Sequence, residues 1–156
     1  MKAVIQRVDY AKVAVNETLI GEIAKGLLVF LGVGRDDGEK DADFLADKTM
    51  NLRIFEDCDG KMNRSLLEVS GDMLIVSQFT LFADCRKGRR PSFIDACEPE
   101  RAIELYEYFV QIVREQVSRV ATGQFQAMMK IELVNHGPVT MILDSKQNKK
   151  VTSNEH

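Results

Sequence analysis

Branched apolar residues interrupted by single charges dominate the first part of the chain and predict strands. Residues 2 to 8 (KAVIQRV) and 11 to 15 (AKVAV) have this composition, which is typical of strands with one buried face. Asn16 and Glu17 indicate a turn into a third segment, TLIGEI, and Gly26 opens the apolar run LLVFLGV. We therefore predict an antiparallel start to the fold.

Two later segments have the spacing of helices. Residues 41 to 52 present one moderately apolar face, formed by Ala42, Leu45, Thr49 and Leu52. A second helix is predicted to begin near Pro99, a favourable first-turn residue, and to end at Gly123. Its apolar stripe comprises Ala102, Tyr106, Phe109, Val113, Val117 and Val120.

Two regions of strong strand character complete the pattern. The run DMLIVSQFTLFA, residues 72 to 83, is almost continuously apolar, which favours a central strand covered on both faces. Further along, QAMMKIELV and VTMILDS flank the segment NHGP. These two segments predict a hairpin. Pro138 nevertheless lacks a backbone donor, and Gly137 increases the entropic cost of ordering the backbone between the two strands.

These elements predict an α+β fold in which two principal helices pack on a mainly antiparallel sheet that curls toward a partial barrel. The chain has 156 residues and 45% apolar residues, which suits one domain with a substantial core. We place this domain at residues 1 to 145 and a frayed polar tail at residues 146 to 156.

Composition narrows the class of protein. The net charge of −3 argues against a surface that binds polyanions everywhere but leaves room for one local basic patch. No apolar run reaches the roughly 18 residues of a membrane span, so we expect a cytoplasmic protein with no membrane partner. The cysteines are too far apart to suggest a disulfide framework or a zinc site: Cys58, Cys85 and Cys97.

Most familiar catalytic patterns are missing from the sequence. A hydrolytic triad would have to use His136, predicted to be an exposed loop residue, because His156 is the last residue of the polar tail. GVGRDDG lacks the residues of a phosphate-binding or dinucleotide-binding loop. A general serine esterase is disfavoured as well, because the chain has no Gly-x-Ser-x-Gly elbow.

Polar side chains at the end of the central strand remain as a candidate site. Ser77, Gln78 and Thr80 follow MLIV directly, and polar groups in such a place either find structural partners or line a site. A cationic run follows soon afterwards, and it is either a solvated loop or a phosphate-binding rim. It comprises Arg86, Lys87, Arg89 and Arg90. The residues alone therefore indicate a candidate pocket with a basic rim.

SQFTLFAD and NHGPVT together resemble the paired signature of the D-aminoacyl-tRNA deacylases, Ser-Gln-x-Thr-Leu-x-Ala and Asn-x-Gly-Pro-Val-Thr. MKAVIQRV, GKMNRSL and RKGRRPSF are similar to that family at the corresponding places. The resemblance implies a homodimer with shared active sites and no cofactor or metal. Such an enzyme hydrolyses the ester that joins a D-amino acid to the terminal adenosine of tRNA, and also glycyl-tRNA mischarged on tRNA-Ala.

The resemblance also assigns roles to residues. It implies that the peptide bond between Gly137 and Pro138 is cis. These two residues would enter the partner's pocket and select the chirality of the substrate, and Arg7 would hold their loop in place. Their neighbours in this motif are Asn135, Val139 and Thr140. The catalytic wall comprises Ser77, Gln78, the backbone amide of Phe79, and Thr80. The cations that would hold the tRNA backbone are Arg86, Lys87, Arg89 and Arg90.

Two mechanisms stay open at this point. Thr80 could be a nucleophile, but the sequence places no histidine near it as a base. We favour the route in which the 2′-hydroxyl of the terminal ribose activates water and backbone amides polarise the ester. The alternative from another class is a noncatalytic tRNA-binding module, which would bind tRNA in a salt-sensitive manner without turnover.

Overall fold

The computed structural model describes residues 1–147 and contains two main helices on a mixed sheet. In chain order the elements are β1 (Lys2–Val15), β2 (Thr18–Ile23), β3 (Gly26–Gly32), α1 (Glu39–Asn51), β4 (Phe55–Glu56), β5 (Met62–Arg64), β6 (Asp72–Ser77), a 3-10 helix (Phe79–Phe82), α2 (Pro99–Arg114), β7 (Val120–Thr122) and β8 (Met129–Asp144). None of the helices in this part of the chain has the length and apolar character needed to cross a membrane.

β1 organises the sheet because it pairs with three other strands. It is antiparallel to β3, to β2 and to β8, whereas β3, β6 and β7 continue the sheet in parallel. β7 then approaches β2 so closely that a Cβ added at Gly21 would lie 3.1 Å from the carbonyl oxygen of Thr122. The predicted fold class is confirmed: two helices cover a largely antiparallel sheet that is nearly closed into a barrel.

The almost continuous apolar character of β6 has a direct cause in the packing. Met73 and Ile75 point into the core beneath the two helices, whereas Leu74 and Val76 point into the barrel interior. All four side chains are fully buried. The prediction of a central strand covered on both faces is therefore confirmed.

Both predicted helical faces are buried except at Leu52 and Val120, which are half-buried. The α1 positions Ala42, Leu45 and Thr49 are inaccessible to solvent. On α2, the hydroxyl of Tyr106 donates a hydrogen bond of 2.8 Å to the carbonyl oxygen of Ile75, and burial raises the pKa of this tyrosine. This bond joins α2 to the central strand at the layer boundary.

Three predicted boundaries are wrong. The two N-terminal strands are one, because β8 pairs with β1 on both sides of Asp9. The central strand stops at Ser77, after which the chain turns into the 3-10 helix. α2 ends at Arg114 instead of Gly123, since the chain leaves the helix and forms β7 beside β6. Val117 and Val120 keep their apolar contacts with the core without being helical.

The predicted hairpin around NHGP is also wrong. β8 is one strand, and both of its halves pair with β1. Between the pairs Gln6–Thr140 and Val8–Asn135, β1 advances by 8 − 6 = 2 residues and β8 by 140 − 135 = 5, so β8 carries three extra residues. β1 is long enough to give each half of β8 a partner, and Gly137 and Pro138 occupy a bulge where no ladder donor is needed.

The chain after β8 is fixed on the domain at its first residues. Lys146 Nζ lies 3.1 Å from Asp41 Oδ2 and 3.3 Å from Asp37 Oδ1, so the predicted fraying is wrong at this residue. Burial alone would raise the pKa of Asp41, but hydrogen bonds from Gly38, Ser145 and Lys146 lower it to about 2. The rest of the predicted tail, residues 148–156, lies outside the described residues.

Candidate active site

A cavity of about 680 Å³ lies between the end of β6, the start of α2 and the segment that leads into β8. The predicted residues Ser77, Gln78 and Phe79 form one wall of it. The remaining lining is Val33, Val76, Phe93, Ala96, Cys97, Pro99, Ala102, Phe125, Gln126, Ala127, Met128, Met129 and Ile131. The site is therefore a mostly apolar pocket with a few polar groups along one side, as is usual for small-molecule sites.

The polar wall forms because the β6 ladder ends abruptly. Gln78 N donates to Leu31 O at 2.8 Å, and the next turn is closed by bonds from Leu81 N to Gln78 O and from Ala83 N to Thr80 O. The N–H groups of Phe79 and Thr80 have no acceptor within residues 1–147, as expected at the start of a helical turn. The Gln78 side chain donates to Thr80 Oγ1. Two free amides and a fixed hydroxyl thus follow the end of β6, where Phe79 lines the cavity and the exposed Thr80 does not.

Sequence reasoning missed most of the cavity wall. The parallel pairing of β7 with β6 brings the segment from Phe125 to Met129 next to the end of β6, and no local pattern indicates that proximity. Cys97 is part of this wall, and burial raises the pKa of its thiol. Phe93 could have been suspected, since it directly follows the basic run in RRPSF.

The NHGPVT bulge is held firmly at its base. Arg7 is 3% exposed; its Nη1 donates to Ile54 O at 2.8 Å and its Nε to His136 O at 3.2 Å. The side-chain amide of Asn135 donates to Arg7 O at 3.0 Å and to Val139 O at 3.1 Å. A buried guanidinium and an amide therefore fix the backbone on both sides of the bulge tip.

The tip itself points away from these anchors. The peptide bond between Gly137 and Pro138 is cis, and both residues are exposed while Val139 is buried. His136, predicted to be exposed, is only partly so: its side chain is 42% exposed and its Nδ1 lies 3.6 Å from Asp9 Oδ1. The tip is a projection with a rigid base.

The structure does not bring the two signature segments into one pocket of this chain. The cavity is lined by Ser77, Gln78 and Phe79, but neither Gly137 nor Pro138 lines it. Thr140, on the far side of the bulge, instead accepts a hydrogen bond of 3.2 Å from Gln6. Nor does any group of three or more His, Cys, Asp or Glu side chains in the described residues have a metal-binding arrangement.

The cationic run is an exposed loop beside the cavity. Mutual backbone hydrogen bonds of 2.7 and 2.9 Å between Asp84 and Ser92 close it. Hydrogen bonds from Arg86 lower the pKa of Asp84 to about 2, so this cation is paired at 2.7 Å. Over residues 1–147, Lys87, Arg89 and Arg90 form no salt bridge. Three cations of the loop are thus available to an anion.

Comparison with known proteins identifies the family. Residues 4–144 match the family model described as D-Tyr-tRNA(Tyr) deacylase. A D-aminoacyl-tRNA deacylase of Syntrophus aciditrophicus is 60% identical over 147 residues, which are 94% of this chain and 99% of the relative. The chain belongs to the D-aminoacyl-tRNA deacylase family. The one from Clostridioides difficile is 55% identical over 148 residues, covering 95% of this chain and 99% of the relative.

Two solved structures share the fold of this chain. The structure named c-Myc DNA Unwinding Element Binding Protein has a TM-score of 0.88 and 37% identity, and covers 92% of this chain and 98% of its own. A probable eukaryotic D-amino acid tRNA deacylase, at 20% identity, shares the fold with a TM-score of 0.81 over 91% of this chain and 97% of its own. As a D-aminoacyl-tRNA deacylase the protein is a hydrolase with a tRNA substrate, which decides against the noncatalytic alternative.

Proposed function

We propose that this deacylase hydrolyses the ester of D-aminoacyl-tRNA, and of glycyl-tRNA mischarged on tRNA-Ala, in a pocket completed by a second subunit. In this arrangement Gly137 and Pro138 of one subunit enter the cavity of the other and reject L-aminoacyl-tRNA. The observation that carries the proposal is the orientation of the bulge. It is rigidly anchored by Arg7, yet its exposed tip does not line the cavity of its own chain.

The space around Gly137 supports a role for this residue outside its own chain. A Cβ added there would meet only Asn135 Oδ1, at an ordinary contact distance of 3.5 Å. Its φ is also not in the left-handed region. The fold of this chain therefore does not require glycine at the position. A selector that excludes any substituent on one face of the substrate Cα does require it.

Steric exclusion of this kind accounts for the proposed substrate range. Backbone carbonyls at the bulge tip accept hydrogen bonds from the substrate ammonium group, and the ester carbonyl is fixed on the other side of the Cα. The backbone then leaves room for a hydrogen in one direction and for a side chain in the other. D-residues and glycine fit, whereas the side chain of an L-residue collides with the selector.

For the chemical step, the free N–H groups of Phe79 and Thr80 are the proposed oxyanion donors. The 2′-hydroxyl of the terminal ribose relays a proton: it accepts one from the attacking water, whose oxygen bonds to the ester carbon, and donates its own to the ribose 3′-oxygen. The bond between the ester carbon and the 3′-oxygen then breaks, which releases the free D-amino acid and the tRNA. Thr80, held by Gln78, positions the substrate, and neither Thr80 nor Gln78 has a histidine among its hydrogen-bond partners in the described residues.

The exposed loop contributes the proposed contact with the tRNA backbone. Lys87, Arg89 and Arg90 lie in the exposed loop that leads to the cavity-lining residue Phe93, and they form no salt bridge within the described residues. Cations of this kind attract phosphates with a strong dependence on salt. We therefore assign the loop to the acceptor end of tRNA.

The first experiment compares D-tyrosyl-tRNA and L-tyrosyl-tRNA under identical conditions. We expect rapid loss of the D form and persistence of the L form, measured as acid-precipitable labelled amino acid. Equal loss of both forms would contradict chiral selection, and persistence of both would contradict the proposed activity.

A mixing experiment tests the shared pocket. Gly137→Trp damages the selector and Ala96→Trp fills the cavity, so each variant alone is expected to be inactive. When the two are unfolded and refolded together, half of the dimers are mixed and one of their two sites is intact, which restores roughly a quarter of the wild-type rate per chain. If selector and cavity belong to the same chain, mixing restores no activity.

A further inference from the structure

An apolar rim lies at the mouth of the cavity, formed by Phe79, Phe93 and Ile94. Phe79 and Phe93 line the cavity and yet remain 57% and 38% exposed, while Ile94 is 63% exposed. The two rings meet edge to face with centroids 5.1 Å apart. Aromatic faces left accessible beside a pocket have no function in the packing of this chain.

The rim is held rigidly. Arg35 N donates to Asp95 O at 3.0 Å, and Cys97 N donates to Val33 O at 3.0 Å. The Arg35 guanidinium also donates to Ile94 O. Because these bonds fix the backbone at Ile94 and directly after it, a ligand that binds the rim does not have to order this segment first.

The rim connects the cavity with the cationic loop. Phe93 follows Ser92, whose backbone closes that loop against Asp84. Lys87, Arg89 and Arg90 therefore lie in the loop that leads into the rim, and the rim residues Phe79 and Phe93 line the cavity. A row of cations beside exposed aromatic rings is the arrangement by which proteins bind single-stranded nucleic acid, with phosphates on the cations and bases on the rings.

We propose that the rim stacks the unpaired nucleotide that precedes the terminal adenosine of the substrate tRNA. This inference rests on the proposed function, since the terminal aminoacyl-adenosine occupies the cavity. The base packs on Phe93 and Ile94, and its phosphate faces the loop. A second copy of this chain is a poorer occupant, because a two-fold contact through the rim would bring two cationic loops together.

The test separates the terminal nucleoside from the nucleotides before it. Phe93→Ala is assayed with D-tyrosyl-tRNA and with D-tyrosyl-adenosine, which lacks those nucleotides. Because Phe93 also lines the cavity, we expect some loss with both substrates, but kcat/KM should fall about tenfold more with the tRNA than with the nucleoside ester. Phe93→Trp keeps a stacking face and should restore the part of the loss that is specific to the tRNA.

Two controls identify the contact as stacking. Met62→Ala removes a side chain that is 49% exposed on β5, away from the rim, and should leave both substrates unaffected. The defect of Arg89→Ala should shrink as salt is raised, since a phosphate contact is screened, whereas that of Phe93→Ala should persist.

Several outcomes would overturn the inference. If Phe93→Ala lowers kcat/KM equally with both substrates, Phe93 only shapes the cavity. If Phe93→Ala changes the mass of the protein in sedimentation, the rim contacts a second copy. If the wild type hydrolyses neither substrate, the proposed function fails. The rim is then tested by binding alone: Phe93→Ala must weaken binding of intact uncharged tRNA but not of tRNA trimmed of its unpaired 3′ end.

Discussion

The two signature segments of this chain both interrupt strands, and they do so in opposite ways. At Ser77 β6 ends, and the following turn places free amides beside a cavity. At Asn135 β8 does not end; it bulges by three residues and then resumes its pairing with β1. One segment is a wall within its own chain, and the other is a projection from it.

This difference indicates where each segment is expected to act, within its own chain or outside it. The wall residues Ser77, Gln78 and Phe79 line a pocket that the chain itself forms. The projection has its base fixed by Arg7 and Asn135, but within residues 1–147 its tip does not line that pocket. Changes at the wall and at the projection should therefore affect stability, selectivity and rate in different combinations.

The largest expected effect is at the tip of the projection. Gly137→Ala should leave the melting temperature unchanged, because the added Cβ finds only an ordinary contact at 3.5 Å. It should nevertheless lower kcat/KM for D-tyrosyl-tRNA about a hundredfold, since in the proposed shared pocket a methyl group displaces the substrate. Steady-state deacylation and thermal unfolding measure the two quantities.

A glycine of the core provides the contrast for this prediction. A Cβ at Gly26 would lie 1.9 Å from the carbonyl oxygen of Asp72, so Gly26→Ala should lower the free energy of unfolding by about 3 kcal/mol. If Gly137→Ala lowers stability to a similar degree, its own fold requires the glycine and the comparison fails.

The next largest effect is at the base of the projection. Arg7→Ala leaves the carbonyl groups of Ile54 and His136 without their buried donor, so it should lower the free energy of unfolding by about 3 kcal/mol. The loosened bulge should also reduce the ratio of D to L deacylation about tenfold. The exposed Arg101→Ala, which loses a pair to Glu104, is the control and should change neither quantity. If Arg7→Ala lowers the free energy of unfolding without changing the ratio of D to L deacylation, Arg7 does not hold the bulge in its functional position.

A smaller effect is expected at the wall. Thr80→Ala removes the hydroxyl that we propose positions the substrate but leaves the backbone amides in place, so the rate should fall only about threefold. A 2′-deoxy substrate should be inert with both proteins. An inactive Thr80→Ala that accompanies normal turnover of the 2′-deoxy substrate would instead identify Thr80 as the nucleophile.

The smallest effect on activity is expected at the far end of β8, where Lys146 binds Asp41. The pKa of Asp41 is lowered to about 2 in the folded protein, so this carboxylate stabilises the fold above about pH 4 and loses that contribution as the pH falls toward 2. Asp41→Asn should be about 1 to 2 kcal/mol less stable than the wild type at pH 7. The difference should vanish near pH 2, and chemical unfolding across pH measures it. A difference that does not depend on pH would contradict this assignment.

The sequence predicted the elements whose signal is local. The helix face of Ala42 and Leu45, the start of α2 at Pro99 and the two-sided burial of β6 all follow from periodicity and composition. The predicted end of α2 was wrong because the apolar spacing continues through Val117 and Val120 after the helix has ended. Periodicity reports burial, and it does not distinguish a helix from the strand that follows it.

The sequence by itself determined the fold class, the two signature segments and the family to which they belong. Only the tertiary structure decided which strand pairs with which. The long β1 is a partner for both halves of β8, which turns the Gly137–Pro138 segment from a hairpin connection into an anchored bulge. The pairing of β7 with β6 likewise completes the cavity from residues far apart in the chain. Such contacts depend on which strand lengths and faces can be satisfied together, and no local pattern encodes that choice.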